Sequence, residues 1–412
     1  MTPPRYRWVV LAAGAFAQAS SAAVLQSLPG LAPQLRDEFG LQLTGLGVLL
    51  ASVTVGLVAT LLLWGAAADR FGERRVMAAG LVLVVAALLA VTRTSSVGPL
   101  MAWLTLAGAA CGSVNAASGR AVLGWFPPAE RGLAMGLRQT SLPLGAGLAA
   151  ALLPPLAQAR GLDAAFLAMA GAAAVSAVVV VALVREAPGQ LVREPGGASP
   201  LRDPAVRRLS LVSFLLVVPQ FTVVAFVVVY LVDEQAFAVA TAALVLAAVQ
   251  VSGGLGRVVA GRWSDRLGSR LVPLRRIALA VTGLFVVTAA LDAAGTAAVV
   301  PLLVVAGVVA ISWNGLAFTA VGELAGPGRA GTALGAQNTA VAVSAAVTPP
   351  LVALVVSRSS WAAGYLLAAG AAAVAVLLLR PAVGTPPPSR DAAGPRSVAR
   401  ARGSRGGRSP AP

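Results

Sequence analysis

Gly65-Ala-Ala-Ala-Asp69-Arg70-Phe71-Gly72-Glu73-Arg74-Arg75 is a short charged stretch that lies between two long apolar segments. A related stretch, Gly261-Arg-Trp-Ser-Asp265-Arg266-Leu267-Gly268-Ser269-Arg270, begins 196 positions later and has the same apolar surroundings. A charged hairpin that occurs once in each half of an apolar chain indicates two halves with the same topology. Two six-helix halves related by an axis along the membrane normal are a known plan among membrane proteins.

The composition supports a membrane protein. Hydrophobic residues make up 58% of the 412 residues and charged residues only 11%, too few to cover the surface of a soluble domain. A helix of about 20 apolar residues spans a bilayer. The pattern predicts an all-α membrane protein with twelve transmembrane helices in two pseudo-symmetric six-helix bundles. The predicted spans are 8–33, 43–64, 76–95, 98–123, 132–157, 162–184, 208–232, 238–260, 273–291, 296–321, 331–356 and 361–379.

The distribution of positive charge predicts the orientation. All 31 basic residues are arginine. With the N-terminus in the cytoplasm, 24 of them fall on the cytoplasmic side, three fall inside helices (Arg120, Arg138 and Arg257), and four fall outside (Arg36, Arg93, Arg160 and Arg358). This imbalance predicts a multi-pass protein of the plasma membrane with both termini in the cytoplasm. The net charge of +16 then reflects topology and contact with the lipid bilayer, and no nucleic-acid partner is expected.

The charge and composition pattern also divides the chain. We expect an N-terminal six-helix bundle at 1–185, a cytoplasmic linker at 186–207 rich in Pro and Gly, and a C-terminal six-helix bundle at 208–380. Residues 381–412 contain Pro, Gly, Ser and Arg with few large apolar residues, which predicts a disordered basic cytoplasmic tail.

Further landmarks recur between the halves in the same order. Ser113-Val-Asn115 matches Ser312-Trp-Asn314 at an offset of 199, as Gly136-Leu-Arg138-Gln139-Thr140 matches Gly335-Ala-Gln337-Asn338-Thr339. Pro154-Pro155 and Pro349-Pro350 mark the outer ends of the fifth and eleventh helices. Several landmarks in one order support an internal repeat rather than the chance recurrence of one motif.

The chain resembles the major facilitator superfamily of secondary transporters. The signature of that family, between its second and third helices, is a Gly, an Asp-Arg four residues later, a second Gly and further basic residues. Both charged stretches quoted above match it, the second more weakly. Residues 119–140 are loosely similar to bacterial carriers of the cyanate, nitrate and oxalate/formate type. The resemblance implies the twelve-helix fold, secondary transport by alternating access, and the start of the eleventh helix as the partner of the first motif.

These motifs predict a gate at the cytoplasmic end of the helices. Gly65 and Gly261 permit close helix approach, and Gly72 and Gly268 permit tight turns. Asp69 and Asp265 can pair with arginine or face the positive N-terminus of a neighbouring helix. Glu323 is the expected partner of Arg266 or Arg270. The expected gating residues are Gly65, Asp69, Arg70, Gly72, Arg74, Gly261, Asp265, Arg266, Gly268 and Glu323, although ordinary membrane-edge charges remain an alternative.

Three arginines inside the helices are candidates for substrate binding, because ionisable groups are costly within a membrane. No Asp or Glu falls at mid-membrane depth, so an anionic substrate would supply the missing negative charge. Arg257, followed four residues later by Gly261, is similar to the eighth-helix arginine that binds carboxylate in monocarboxylate and oxalate/formate carriers. Alternatively, Arg120 and Arg257 reach the interface by extending along the helix, and Arg138 donates to backbone carbonyls.

Uncharged polar residues complete the predicted substrate cavity. The expected substrate-binding set is Arg138, Arg257, Gln139, Gln337, Asn338, Gln26 and Gln220, and Gln18 and Gln250 are also candidates for the lining. Helix packing is the alternative role for each amide. Pro143 and Pro219 are expected to kink the fifth and seventh helices and to open backbone groups toward the cavity.

Three classes of function follow. The favoured one is a secondary carrier of a small organic or inorganic anion, with H⁺ as the candidate coupling ion, acting as a monomer. The second is an exporter of neutral or lipophilic compounds of the multidrug type. The third is a membrane sensor or enzyme. The sequence does not support it, since it contains neither a phosphate-binding loop nor a metal-ligand cluster. One cysteine and no histidine argue against a zinc site. For a carrier we expect neither a cofactor nor a catalytic residue.

Overall fold

The computed structural model describes residues 5–41, 43–187, 199–326 and 328–379. This part of the chain contains twelve helices long and apolar enough to cross a membrane, which confirms the predicted all-α twelve-helix fold. The helices are α1 Tyr6–Gln26, α2 Leu43–Phe71, α3 Glu73–Val91, α4 Val97–Trp125, α5 Arg131–Arg160, α6 Leu162–Leu183, α7 Pro204–Asp233, α8 Val239–Leu267, α9 Leu271–Ala293, α10 Val299–Ala325, α11 Ala330–Arg358 and α12 Trp361–Leu378.

The first helix is shorter than the apolar run that predicted it. It ends at Gln26 instead of residue 33, and a 3₁₀ turn at Leu28–Leu31 leads into a short helix at Ala32–Phe39. Pro29 and Gly30 lie in this turn, and a proline removes the backbone donor that would continue an α-helix. The apolar run therefore extends beyond the helix.

The two charged motifs lie within helix ends rather than in loops. α2 continues through Asp69 to Phe71, and Gly72 then turns the chain with φ of 84°. α8 continues through Asp265 to Leu267, and Gly268 follows with φ of 61°. Positive φ values favour glycine, so Gly72 and Gly268 occupy the turn positions that the sequence predicted. The same end of the molecule carries most of the described arginines, and we call it the Arg-rich end.

α10 contains a break that the sequence did not predict. Its helical segments are Val299–Ile311 and Asn314–Ala325, separated by Ser312 and Trp313. Trp313 is fully buried at the break. The interruption leaves backbone groups near the middle of the membrane without regular helical partners, and such groups need partners elsewhere in the protein.

Each half of the molecule has its own apolar core. One cluster of buried side chains extends from Val10 to Val184, and a second extends from Val206 to Leu379. A smaller third cluster, which includes Met135 and Phe318, joins the halves. The predicted division into two bundles remains a proposal. Residues 188–198 of the predicted linker, residue 380 of the predicted C-terminal bundle and the whole predicted tail, 381–412, lie outside the described residues.

Candidate functional site

A cavity of about 210 Å³ lies between the two halves. Six helices contribute to its wall, and amide side chains dominate its polar part. The lining residues are Gln26 of α1, Gln139, Leu142 and Pro143 of α5, Gln220, Phe221 and Val224 of α7, Gln250 and Arg257 of α8, Asn314 and Phe318 of α10, and Asn338 and Val341 of α11. Five of the seven residues predicted to bind substrate are thus in one wall: Arg257, Gln139, Asn338, Gln26 and Gln220.

Arg257 is the charged group of this cavity. Arg257 is buried, with 6% of its surface exposed. Its Nε donates to the carbonyl of Ile311 at 3.0 Å, and its Nη1 donates across the interface between the halves to the carbonyl of Gln139 at 2.6 Å. No carboxylate of the described residues lies within ion-pairing distance of it. A buried guanidinium solvated only by carbonyl dipoles retains capacity for an anion.

Arg138 lies inside the N-terminal half and does not line the central cavity, contrary to the sequence-based expectation. Its Nη2 donates to the carbonyl of Asn115 at 2.7 Å and its Nε to the hydroxyl of Ser118 at 2.9 Å. Adjacent residues of a helix point about 100° apart. Because Gln139 faces the cavity, Arg138 faces α4, and the alternative of donation to a backbone carbonyl describes it better.

Gln337, the symmetry partner of Arg138, is also turned away from the cavity. Its Nε2 donates to the hydroxyl of Ser213 on α7 at 2.8 Å. The prediction that Gln337 lines the cavity was therefore wrong for the same geometric reason, whereas its neighbour Asn338 faces the cavity.

One cavity residue was quoted only as a repeat landmark in the sequence. Asn314 begins the second segment of α10, and its Nδ2 donates to Oε1 of Gln220 at 3.4 Å. An amide side chain within an otherwise apolar segment is the sequence signal that could have identified it. Gln18 does not line the cavity but contacts it indirectly, since its Nε2 donates to Oε1 of Gln139 at 3.4 Å.

At the Arg-rich end, Asp69 caps the start of α11 in the other half of the molecule. Its carboxylate accepts the backbone N–H of Gly331 at 2.9 Å and that of Thr332 at 2.7 Å. It also accepts the Thr332 hydroxyl at 2.6 Å. Free N–H groups and the positive dipole at a helix N-terminus favour a carboxylate at this position. The structure therefore contains the contact with the eleventh helix that the motif implied.

Asp265 makes the equivalent contact with the start of α5. Its carboxylate accepts the N–H of Gly132 at 2.9 Å and that of Leu133 at 2.7 Å. Arg270 pairs with Asp265 at 2.5 Å and with Glu323 at 3.2 Å. Burial alone would lower the pKa of Arg270, but its hydrogen bonds with Glu323 and Asp265 raise it above the ordinary arginine value. Glu323 thus pairs with Arg270 and not with Arg266.

Glycines bring the helices of these two contacts together. A methyl group on Gly65 would collide with the backbone carbonyl of Gly331, and a methyl group on Gly261 would collide with that of Gly132. α2 therefore crosses α11, and α8 crosses α5, at van der Waals distance between backbones. This spacing allows each aspartate, four residues further along its helix, to reach the neighbouring N-terminus.

Arg120 has a role that the sequence did not indicate. Its guanidinium lies 3.2 Å from Asp69 and 2.7 Å from Glu73, with 4% of its side chain exposed. It therefore neither extends to the interface nor lines the cavity, because two buried carboxylates hold it between α2, α3 and α4. Three predicted gating arginines are exposed instead: Arg70, which stacks on the Phe71 ring, Arg74 and Arg266.

Comparison with known proteins identifies the family. Residues 14–349 match the Major Facilitator Superfamily. An uncharacterised MFS-type transporter of Mycobacterium tuberculosis is 38% identical over 365 residues, which cover 88% of this chain and 82% of that protein. The hexuronate transporter of Bacillus subtilis is 23% identical over 381 residues, covering 86% of this chain and 90% of that protein.

Solved structures show the same fold. The crystal structure of FucP, the E. coli fucose:proton symporter, in the outward conformation superposes with a TM-score of 0.75. The alignment covers 91% of this chain and 98% of that chain at 15% identity. At this identity the likeness concerns the fold alone.

Proposed function

Because the chain belongs to the Major Facilitator Superfamily, a family of multi-pass membrane transporters, we propose that it carries a small anion across the membrane by alternating access. The observation that carries this proposal is Arg257. Its guanidinium lies in the cavity between the halves without a carboxylate partner among the described residues. An oxyanion is the ligand that a desolvated guanidinium fork fits best.

The walls of the cavity favour an organic carboxylate. Amide groups of Gln26, Gln139, Gln220 and Asn338 surround the space that Arg257 faces. Amides both donate and accept hydrogen bonds, so they suit a substrate with hydroxyl groups beside its carboxylate. The Bacillus subtilis relative is named a hexuronate transporter, and hexuronates combine these groups. The looser likeness to carriers of cyanate, nitrate and oxalate/formate makes smaller anions the next candidates.

The contacts at the Arg-rich end define the proposed conformational state. Asp69 and Asp265 each join one half of the molecule to the other, and Glu323 approaches Arg131 across the same interface at 3.5 Å. By the positive-inside rule we assign this end to the cytoplasm of a cell with this protein in its plasma membrane. The structure then corresponds to a carrier closed toward the cytoplasm, with these aspartates as the gate.

One observation favours export of neutral or lipophilic compounds as a second candidate. Leu142, Phe221, Val224, Phe318 and Val341 form an apolar portion of the cavity wall. Apolar and aromatic linings are typical of sites that bind drug-sized molecules. Under this candidate Arg257 would not contact the substrate, so its replacement would leave transport by the folded protein unchanged.

Uptake by purified protein in liposomes tests the proposal. D-glucuronate, D-galacturonate, oxalate and nitrate serve as anionic probes and D-glucose as a neutral one, each with and without an imposed proton gradient. We expect saturable uptake of at least one anion, and loss of that uptake in Arg257→Gln. Arg262→Gln, an exposed arginine on the same helix, is the matched control. Uptake of neutral compounds alone, unaffected by Arg257→Gln, would refute the anion proposal.

A further inference from the structure

The two acceptors of Arg257 are backbone carbonyls of other helices. One is the carbonyl of Gln139 in α5, and the other is the carbonyl of Ile311 in α10. In a regular α-helix a carbonyl accepts the N–H four residues later. Both carbonyls belong to helices, so the reason why they are available to Arg257 needs to be found in the sequence.

Pro143 explains the availability of the Gln139 carbonyl. It is the residue four positions after Gln139, within α5, and proline has no N–H to donate. The Gln139 carbonyl therefore lacks its helical donor. Nη1 of Arg257, from the other half of the molecule, occupies that position at 2.6 Å.

The break in α10 explains the availability of the Ile311 carbonyl. Backbone bonding resumes after the break with the N–H groups of Leu316 and Ala317, which both donate to the carbonyl of Trp313. Ile311 is the last residue of the first segment of α10, and the carbonyls at a helix end lack partners within that helix. Gly253, one turn before Arg257, brings α8 close to this point, since a methyl group there would lie 2.7 Å from Ile311 Cβ.

The internal repeat provides a comparison within the same chain. The residue of α2 that corresponds to Arg257 is Leu61, which crosses α11 where Arg257 crosses α5: Gly335 faces the carbonyl of Leu61, and Gly136 faces that of Arg257. The α11 position that corresponds to Pro143 is Ala342, which keeps its N–H. α4 continues without interruption from Val97 to Trp125 where α10 breaks.

Two departures from the repeat, Pro143 and the break in α10, thus meet at Arg257, which is itself the third departure. The crossing of α2 and α11 at Leu61 has no proline at the equivalent position and no helix break beside it, whereas the crossing of α8 and α5 at Arg257 has both. The fold that the two halves share requires neither of these irregularities, because the crossing at Leu61 forms without them. Their coincidence with the arginine indicates that they serve it.

We propose that Pro143 and the break in α10 form a two-carbonyl seat for Arg257, and that Pro143 is a positioning residue of the anion site. This inference rests on the proposed function for the identity of the ligand. The seat solvates the guanidinium when the cavity is empty, so the arginine stays charged without a carboxylate partner. No described residue accepts a hydrogen bond from Nη2, so Nη1 and Nη2 together present a fork to a carboxylate or another oxyanion.

A double-mutant cycle on thermal stability in nanodiscs tests the seat without any ligand. The variants are Pro143→Ala, Arg257→Leu and both together, the double variant reproducing the Leu61 and Ala342 arrangement of the other half. With Leu at 257, the N–H restored at 143 bonds the Gln139 carbonyl unopposed, so Pro143→Ala should raise the melting temperature. With Arg at 257 the same change competes for that carbonyl, and the gain should disappear or reverse.

The control is Pro155→Ala, an exposed proline of the same helix, whose effect should be equal in both backgrounds. Equal effects of Pro143→Ala in both backgrounds would overturn the seat. In uptake assays Pro143→Ala should raise the half-saturating concentration of D-glucuronate about tenfold, the equivalent of one charged hydrogen bond, and Pro155→Ala should not. Absence of anion uptake by the unmodified protein would contradict the proposed function, while the thermal cycle would still decide the seat.

Discussion

Replacement of Asp69 by Asn should open the gate at the Arg-rich end. The carboxylate accepts two backbone N–H groups at the start of α11 and the Thr332 hydroxyl, all within 2.9 Å. An asparagine has one acceptor oxygen, and its amide donors face the N–H groups that Asp69 now satisfies. The variant also removes a negative charge from the helix N-terminus and from the neighbourhood of Arg120.

The size of this effect follows from the contacts. Loss of one hydrogen bond to a charged group costs about 1.5–3 kcal/mol, and the lost charge at the helix terminus adds about 1 kcal/mol. Arg120 retains Glu73 at 2.7 Å, so its charge stays paired. A total of about 3 kcal/mol against the closed state shifts the ratio of closed to open molecules by about 100-fold.

Cysteine accessibility measures this shift. A cysteine at Leu142, in the cavity wall, is placed in a Cys111→Ala background and labelled with a membrane-impermeant maleimide in inside-out vesicles. We expect Asp69→Asn to accelerate labelling from the Arg-rich end at least tenfold, and Arg70→Gln, at the neighbouring exposed residue, to leave it unchanged. Equal labelling rates in a folded Asp69→Asn variant would refute the gate.

Three further predictions address packing and charge. Gly65→Ala should lower the melting temperature and expose the cavity from the Arg-rich end, since its methyl group collides with a backbone carbonyl of α11. In Gly283→Ala the added methyl group meets no atom within 4 Å, so this variant should have little effect on thermal melting or on cysteine labelling. Arg120→Gln should destabilise the fold by about 3–5 kcal/mol in chemical denaturation, because it removes the ion-pair partner of two buried carboxylates. Loss of the half-buried ion pair between Arg131 and Glu323 should cost at most about 1 kcal/mol. Arg257→Lys should impair anion uptake nearly as much as Arg257→Gln, because an ammonium lacks the bidentate fork; normal uptake would argue against direct contact with substrate.

The sequence alone determined the fold class and the position of the proposed gate. Twelve apolar segments of membrane-spanning length are a local property of the chain, since a helix in lipid must satisfy its own backbone. The recurrence of the Asp69 motif at Asp265 then indicated that the two halves share one topology. The turn glycines were identified by their position three residues after each aspartate. The same local reasoning identified six polar residues of the cavity wall, because polar side chains are rare in such helices.

The tertiary structure decided which way each side chain points and what it meets. Arg138 and Gln139 are adjacent in sequence, yet one lies within the N-terminal half and the other in the cavity wall. Helix rotation is set by packing against several distant helices, and the periodicity of a nearly uniform apolar segment does not encode it. For the same reason the partners of Arg120 were not foreseen: they depend on where α2, α3 and α4 meet. The seat of Arg257 is also a tertiary feature, because the proline, the helix break and the arginine come from three helices that only the folded chain brings to one point.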